Sequence, residues 1–238
     1  MTDKKRNVNN LKSLFNGEVL KNVFADRART NLLKKQEQIA ISWLVQRIPA
    51  FISSNMLTGI GFFGNIIVTA SFILAAYFSR SFLLLGLLGF LISWFGDSLD
   101  GRLAYYRNKP RKNYGFALDI TIDWVSIILI GVGYTIYAEG AWTLLGYGFV
   151  VMYGWEMIIA LLRFKITGRY SIDSGIMGPT EVRIIIGLIM IAEVFSPGSL
   201  NYSALIVVTA LFIFNITDTR RLLRVADEID KKDLKPES

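Results

Sequence analysis

Six apolar stretches, separated by short polar or charged segments, dominate the chain between residues 48 and 217. They are 56–78, 82–95, 116–137, 142–162, 182–195 and 202–216. About 20 apolar residues in a helix cross the roughly 30 Å hydrocarbon core of a bilayer. Because lipid offers no partner to a backbone N–H or C=O, such segments are expected to be helical. The sequence therefore predicts an all-α integral membrane protein, a bundle of six transmembrane helices.

The second and fifth apolar stretches are shorter than a full span. Each reaches full length only by including charged residues, 96–104 after the second stretch and 179–183 before the fifth. Ionisable side chains inside a span are costly and usually face a cavity. We therefore expect functional residues in these two extensions.

The charged residues predict how the helices lie in the bilayer. Residues 1–47 hold ten Lys and Arg against four Asp and Glu, whereas residues 48–216 hold ten against nine. In the loops, Lys and Arg follow the second and fourth stretches, and Arg80 is the only basic residue in the other three loops. Because cytoplasmic loops are the basic ones, both termini are expected in the cytoplasm. The aromatic residues lie inside the apolar stretches and not among the Lys and Arg, so no nucleic-acid partner is expected.

The residues before the first span predict a helix that lies in the membrane interface. Within 10–48, apolar residues recur at near-helical spacing among Lys and Arg, as in an amphipathic helix on a lipid surface. A soluble helical hairpin is the alternative. The predicted organisation is an interfacial segment over 1–48, a six-span domain over 49–217 and a charged cytoplasmic tail over 218–238.

The chain contains no cysteine and no histidine. Their absence excludes Cys/His zinc sites, thiol nucleophiles and histidine bases. Any catalysis must therefore use carboxylates, hydroxyls, lysine or arginine.

Four aspartates stand where the second predicted helix ends and the third begins. Asp97 and Asp100 are three residues apart, and Asp119 and Asp123 are four apart. Residues at these spacings share one face of a helix. Because the two helices are antiparallel neighbours joined by a short loop, both pairs are expected to face one small volume.

Four carboxylates in one volume at membrane depth would repel one another unless cations accompany them. With no soft ligand available, hard oxygen donors favour Mg²⁺ or Mn²⁺, with Ca²⁺ possible. Such ions usually bind carboxylates together with substrate phosphate, and Gly101 and Gly115 would let a phosphate approach the backbone. The alternative is that the aspartates cap helix ends or pair with loop Lys and Arg.

These residues resemble the signature of the CDP-alcohol phosphotransferase family, D-x2-D-G-x2-A-R-x8or9-G-x3-D-x3-D. Seven of its eight fixed positions match, with the spacing kept, at Asp97, Asp100, Gly101, Ala104, Gly115, Asp119 and Asp123. Residues 54–61, Ser-Asn-Met-Leu-Thr-Gly-Ile-Gly, are similar to the family's P-N-x-L-T-x-x-G stretch at the first span.

The resemblance implies a membrane enzyme of phospholipid synthesis that transfers a substituted phosphate from a CDP-linked donor to an alcohol and releases CMP. The expected donor is CDP-diacylglycerol and the expected acceptor a small polar alcohol. The resemblance further implies a homodimer, metal binding by the four aspartates and a general base at Asp123. It implies nucleotide binding by Asn55, Thr58, Gly101, Arg102, Ala104 and Gly115.

Two positions depart from the family pattern. Tyr105 stands where the family has an arginine that helps to hold the diphosphate, and Arg102 or Arg107 could substitute for it. Ile120 follows the third aspartate, where some members that use CDP-choline or CDP-ethanolamine have histidine. A CDP-choline or CDP-ethanolamine donor with a lipid alcohol acceptor stays open. So does a non-catalytic cation carrier or lipid-binding scaffold.

The fifth stretch supplies the predicted acceptor site. Glu181 and Arg183, at the level of the aspartates, are expected to recognise the polar alcohol or the donor phosphate. The alternative is a helix start at Pro179 with Glu181 beside the positive end of the helix dipole. The pair Thr180-Glu181 also resembles the choline and ethanolamine branch of the family. No role is assigned to Glu156 or Glu193, which lie within spans and are expected to face the bundle interior or carry a proton.

Overall fold

The computed structural model describes residues 34–168 and 179–233, and within these ranges the chain is helical, with no strand. The helices are α1 (Lys34–Val45), α2 (Ser54–Tyr77), α3 (Leu83–Tyr106), α4 (Lys112–Tyr137), α5 (Leu144–Thr167), α6 (Pro179–Phe195) and α7 (Ser199–Asp233). Short 3₁₀ turns, Arg80–Phe82 and Gly140–Thr143, lead into α3 and α5. The predicted all-α class is confirmed.

Five segments of the described chain are long and apolar enough to cross a bilayer. They are Ser54–Tyr77, Arg80–Tyr106, Lys112–Tyr137, Gly140–Thr167 and Ser199–Lys231. The helix at the fifth predicted stretch, α6, has 17 residues, about 25 Å at 1.5 Å per residue. This is shorter than the roughly 30 Å of a bilayer core, so five spans are found and the sixth stays a prediction.

The helices differ from the predicted stretches mainly at their ends. The predicted extension over 96–104 is part of α3. α7 continues without a break past residue 217, where the charged tail was predicted to start, to Asp233. The apolar positions between 11 and 24, on which the interfacial helix was predicted, lie outside the described residues.

Helices α2 and α3 form an antiparallel pair whose backbones touch. A Cβ atom on Gly64 of α2 would lie 2.9 Å from Ser93 Cα of α3, and one on Gly96 would collide with the backbone of Gly61 and Leu57. Small residues allow such close approach in membrane bundles. Because Asp97 follows Gly96, this contact fixes the height of Asp97 along α2.

The remaining helices surround this pair. α4 packs on α2, α6 on α3, and α5 lies between α4 and α7. α1 joins the end of the bundle that carries the aspartates, hereafter the aspartate end, where its Ile41 and Val45 share a buried cluster with Leu57, Leu99 and Leu103. The short helix before the first span is therefore packed against the bundle.

The carboxylate of Glu193 organises the turn between α6 and α7. It accepts hydrogen bonds from the backbone N–H of Gly198 (3.0 Å) and of Leu200 (2.7 Å), and from the hydroxyls of Tyr137 (2.7 Å) and Ser199 (3.2 Å). The first N–H groups of a helix lack partners within that helix. Glu193 therefore faces the bundle interior, as predicted, and caps the start of α7.

Candidate active site

Three aspartates from α3 and α4 meet at the aspartate end of the bundle. One carboxylate oxygen each from Asp97, Asp119 and Asp123 lies within 4.8 Å of the other two, and all three side chains are half-buried. Ligand oxygens on one Mg²⁺ stand up to about 4.2 Å apart and those on Ca²⁺ up to about 5 Å, from bond lengths of about 2.1 and 2.5 Å. These three residues, hereafter the aspartate cluster, are spaced for a hard cation.

Asp100 is held next to the aspartate cluster by α2. Its Oδ2 accepts a hydrogen bond from Thr58 Oγ1 at 2.6 Å, and its Oδ1 accepts one from the backbone N–H of Gly101. It is not among the residues whose carboxylate oxygens lie within 4.8 Å of one another. The structure thus brings all four predicted aspartates to one region, with Asp100 beside the other three.

Arg183 brings α6 to the site. Its Nη2 lies 2.7 Å from Asp97 Oδ2, and the two side chains are 18% and 28% exposed. Glu181, predicted with Arg183 to recognise the acceptor, is buried and is not among the described residues that line the cavities at the aspartates. Its role in acceptor recognition stays a prediction.

Two cavities meet at the aspartate cluster. Both are lined by the cluster, by Arg183 and by Asn65. The small cavity, of about 10 Å³, is also lined by Thr58 and Asp100, and such a volume holds about one water molecule or ion. The large cavity, of about 120 Å³, extends between α4, α5 and α6.

Several polar residues of these cavities were not predicted. Asn65 donates to Ser126 Oγ at 2.9 Å, and both side chains are buried. Ser93 lines the small cavity, and within the described part of the chain its buried hydroxyl has no hydrogen-bond partner. Asn65, Ser93 and Ser126 are polar positions inside apolar stretches, which is the signal that could have identified them.

Glu37 of α1 also reaches the large cavity. Its carboxylate accepts a hydrogen bond from Thr180 Oγ1 at 2.9 Å, and both residues line the cavity. Glu37 is buried. No sequence signal indicated this residue, because its position depends on the packing of α1 against the bundle.

The residues predicted to bind nucleotide have different surroundings: Thr58 lines the small cavity, whereas Asn55 is in the first turn of α2. Asn55 accepts a hydrogen bond from Arg111 Nη2 at 2.6 Å and donates to Tyr114 at 3.3 Å. The Arg111 guanidinium lies 4.1 Å from the centroid of the Tyr114 ring. Asn55 therefore joins the start of α2 to the start of α4.

The two arginines that could replace the family arginine are placed differently. Arg102 is buried and lines neither cavity. Arg107 donates to the backbone oxygens of Ile52 at 2.6 Å and Pro49 at 2.9 Å, so it holds the turn before α2. A role for either in donor binding stays a prediction.

The predicted glycines leave open space, as close approach of a ligand requires. A Cβ atom at Gly101 or at Gly115 would meet nothing within 4 Å, and both residues are exposed. Ala104 and Tyr105 are half-buried on α3. The side of α3 at Gly101 is thus free of neighbouring atoms.

The donor atoms at the site fit a hard divalent cation. They are carboxylate oxygens, with the Ser93 hydroxyl, which has no partner among the described residues, one helical turn before Asp97. All-oxygen sites suit Mg²⁺, Mn²⁺ or Ca²⁺. With such a cation bound, the site could neutralise a polyanionic ligand and place a carboxylate against a hydroxyl.

Comparison with known proteins agrees with this chemistry. The chain is 29% identical over 186 residues to cholinephosphotransferase 1 of Danio rerio, in a match that covers 71% of the chain but only 45% of that protein. The model of the CDP-alcohol phosphatidyltransferase family matches residues 51–216, which contain all four aspartates, Thr58 and Arg183. The chain therefore belongs to the CDP-alcohol phosphatidyltransferase family.

Proposed function

We propose that the chain is a metal-dependent transferase of phospholipid synthesis. It moves a substituted phosphate from a CDP-linked donor to the hydroxyl of an alcohol and releases CMP. The observation that carries this proposal is the convergence of Asp97, Asp119 and Asp123 within 4.8 Å, beside Asp100 in the same cavity.

The aspartate cluster and Asp100 would hold the metal. A divalent cation bound there supplies positive charge that neutralises the diphosphate and stabilises departing CMP. Thr58 orients Asp100 and Arg183 orients Asp97 through the hydrogen bonds described above. The bundle therefore presents oriented carboxylates to a diphosphate group.

Asp123 is the proposed general base. The acceptor oxygen forms a bond to the phosphorus, the bond between that phosphorus and the CMP oxygen breaks, and the acceptor proton passes to the Asp123 carboxylate. Asp123 lines both cavities. It can therefore reach a hydroxyl presented from the large cavity.

The donor is proposed to be CDP-diacylglycerol and the acceptor a small polar alcohol, because Ile120 stands where members that use CDP-choline or CDP-ethanolamine have histidine. A second candidate is a CDP-choline or CDP-ethanolamine donor with a lipid alcohol as acceptor. The similarity to a protein named as a cholinephosphotransferase favours this second form.

The arrangement in the membrane is part of the proposal. α6 is the sixth span, and the aspartate end faces the cytoplasm, as the basic residues of the two loops at that end predict. Two copies of the chain form the enzyme. Arg183 and Glu181 recognise the acceptor alcohol.

Turnover with defined substrates tests the proposal. Purified protein with Mg²⁺ or Mn²⁺ is offered CDP-diacylglycerol, CDP-choline or CDP-ethanolamine, each with and without candidate alcohols. CMP should appear only when donor, alcohol and metal are all present, and mass spectrometry of the new lipid identifies the pair. Metal binding without CMP release across the whole panel would instead favour a carrier or scaffold.

A further inference from the structure

The large cavity continues from the aspartate cluster into the bundle. Its near end is lined by Asp123 and Arg183, and its far end by apolar side chains of α3 to α6, Phe90, Ile127, Ile130, Phe149 and Ile186. Tyr153 of α5 also lines the cavity. This tyrosine belongs to none of the motifs described above.

The Tyr153 hydroxyl is available to a ligand. Among the residues that the structure describes, none forms a hydrogen bond with it, and Asp123 and Arg183 line the same cavity. Its ring is held by Phe149, with the two centroids 5.9 Å apart. Tyr153 is half-buried. A tyrosine hydroxyl inside a protein usually has a hydrogen-bond partner, and here the cavity is the place for one.

Apart from the residues that they share, the two cavities at the aspartate cluster have different linings. Asp100 and Thr58 line only the small cavity, whereas Tyr153 and Ser126 line only the large one. In phosphoryl transfer the attacking and leaving oxygens lie roughly in line on opposite sides of the phosphorus. With the donor diphosphate on the side of Asp100, the acceptor enters from the large cavity.

We propose that Tyr153 is an acceptor-binding residue, whose hydroxyl donates a hydrogen bond to the acceptor oxygen next to the reacting hydroxyl. This inference rests on the proposed function and adds a determinant of its acceptor specificity. The reacting hydroxyl is then directed at Asp123, while Tyr153 holds the neighbouring oxygen. Because the bond goes to the second oxygen, it leaves the lone pairs of the nucleophile free for the phosphorus.

An oxygen next to the reacting hydroxyl is present in acceptors of both forms of the proposed reaction. A polyol carries a second oxygen beside its reacting hydroxyl, and a diacylglycerol carries an ester oxygen there. The experiment therefore uses matched acceptors with and without this oxygen. They are 1,2-propanediol against 1-propanol for the small-alcohol form, and diacylglycerol against a long-chain fatty alcohol for the lipid form.

Tyr153→Phe is the test variant, since it removes one hydroxyl and keeps the ring against Phe149. Tyr147→Phe on the same helix is the matched control, because Tyr147 is 71% exposed. The KM of each acceptor, or its inhibition constant where it is not turned over, is measured for wild type and both variants, together with the KM of the donor.

Tyr153→Phe should weaken binding of the acceptor that carries the second oxygen by roughly two- to tenfold, the value of one neutral hydrogen bond. It should leave the acceptor that lacks this oxygen, and the donor KM, unchanged. The inference would be overturned if the variant bound both acceptors equally more weakly, kept the wild-type preference between them, or showed an equal rise in donor KM. The proposed function would still stand in that case, because wild type turns over. Absence of CMP release by wild type would overturn both.

Discussion

Arg183 Nη2 lies 2.7 Å from Asp97 Oδ2 and joins the start of α6 to the aspartate end of α3. The two residues are 86 positions apart in the chain. Both side chains are less than one third exposed, so the loss of one partner leaves a poorly solvated charge. The contact therefore both holds α6 in place and orients one ligand of the proposed metal site.

Replacing Arg183 with Gln should destabilise the protein and slow turnover. We expect the free energy of unfolding to fall by about 1–3 kcal/mol, which is less than the roughly 3–5 kcal/mol lost when a fully buried ion pair loses one partner. Added Mg²⁺ should recover part of the loss, since a cation at the aspartate cluster supplies the missing positive charge. Thermal unfolding in detergent, with and without Mg²⁺, measures both effects.

The control for this prediction is Arg221→Gln. Arg221 is 72% exposed and lies 3.6 Å from Asp218, so its replacement should change stability by well under about 1 kcal/mol. Equal melting temperatures for the two variants would show that Arg183 is not structurally coupled to Asp97.

Replacing Asp123 with Asn should abolish most turnover and leave measurable donor binding, because it removes the base and only weakens one metal ligand. The amide cannot accept the acceptor proton, and general-base catalysis contributes roughly 10²–10⁴ in rate. Single-turnover CMP release and binding of the CDP-linked donor separate the two effects. Asp227→Asn, at an exposed pair with Lys231, is the charge-matched control, and a near-normal rate in Asp123→Asn would refute the assigned base.

Replacing Gly96 with Ala should separate α2 from α3. The new methyl group would collide with the backbone of Gly61 and Leu57, and overpacking costs about 1–3 kcal/mol. Because Asp97 follows directly, metal affinity should fall together with the melting temperature. Isothermal titration with Mn²⁺ and thermal unfolding measure the two quantities.

Gly59→Ala is the control for the α2–α3 contact. A Cβ atom there meets nothing within 4 Å, and alanine favours a helix over glycine by about 1 kcal/mol. We expect unchanged or slightly raised stability and unchanged Mn²⁺ affinity. Equal behaviour of the Gly59 and Gly96 variants would mean that backbone contact does not set the height of Asp97.

Replacing Glu193 with Gln should lower stability without changing either substrate KM. Glu193 lies about 15 Å along α6 from Arg183, at 1.5 Å per residue, and its carboxylate serves the start of α7. The loss of helix-capping bonds costs about 0.5–2 kcal/mol. Chemical unfolding measures the loss, and an altered acceptor KM at unchanged stability would contradict a purely structural role.

The aspartate site was predictable because its geometry is local. Spacings of three and four residues place Asp97 with Asp100 and Asp119 with Asp123, and one short loop joins the two helices. The contacts that complete the site were not predictable, since Arg183–Asp97 and Glu37–Thr180 join distant segments. Sequence also could not distinguish Tyr153 from Tyr147, because both are aromatic positions in one apolar stretch and only packing shows which faces the cavity.

The fold was predicted best where the length of an apolar stretch determines whether it forms a helix that can cross the membrane. Five of the six apolar stretches became helices of 24 residues or more that are long enough to cross a bilayer, because a helix satisfies the hydrogen bonds of a lipid-embedded backbone within one segment. The end of α7 was not predicted. Charge marks where a helix leaves the lipid, but it does not mark where the helix itself ends, and α7 runs on to Asp233.

The glycine contact between α2 and α3 decides which part of the site can adapt to ions of different radius. Two helices already in backbone contact have no side chains left to compress, so Asp97 and Asp100 form a rigid wall. α4 is in close backbone contact with α2 near Gly133, whose Cβ would lie 3.2 Å from Thr69 Cα, about 15–20 Å along the helix from Asp123 and Asp119. An ion bound there would therefore meet one wall that is fixed by backbone contact, and adjustment to a larger ion such as Ca²⁺ would fall to the Asp119 and Asp123 side chains of α4.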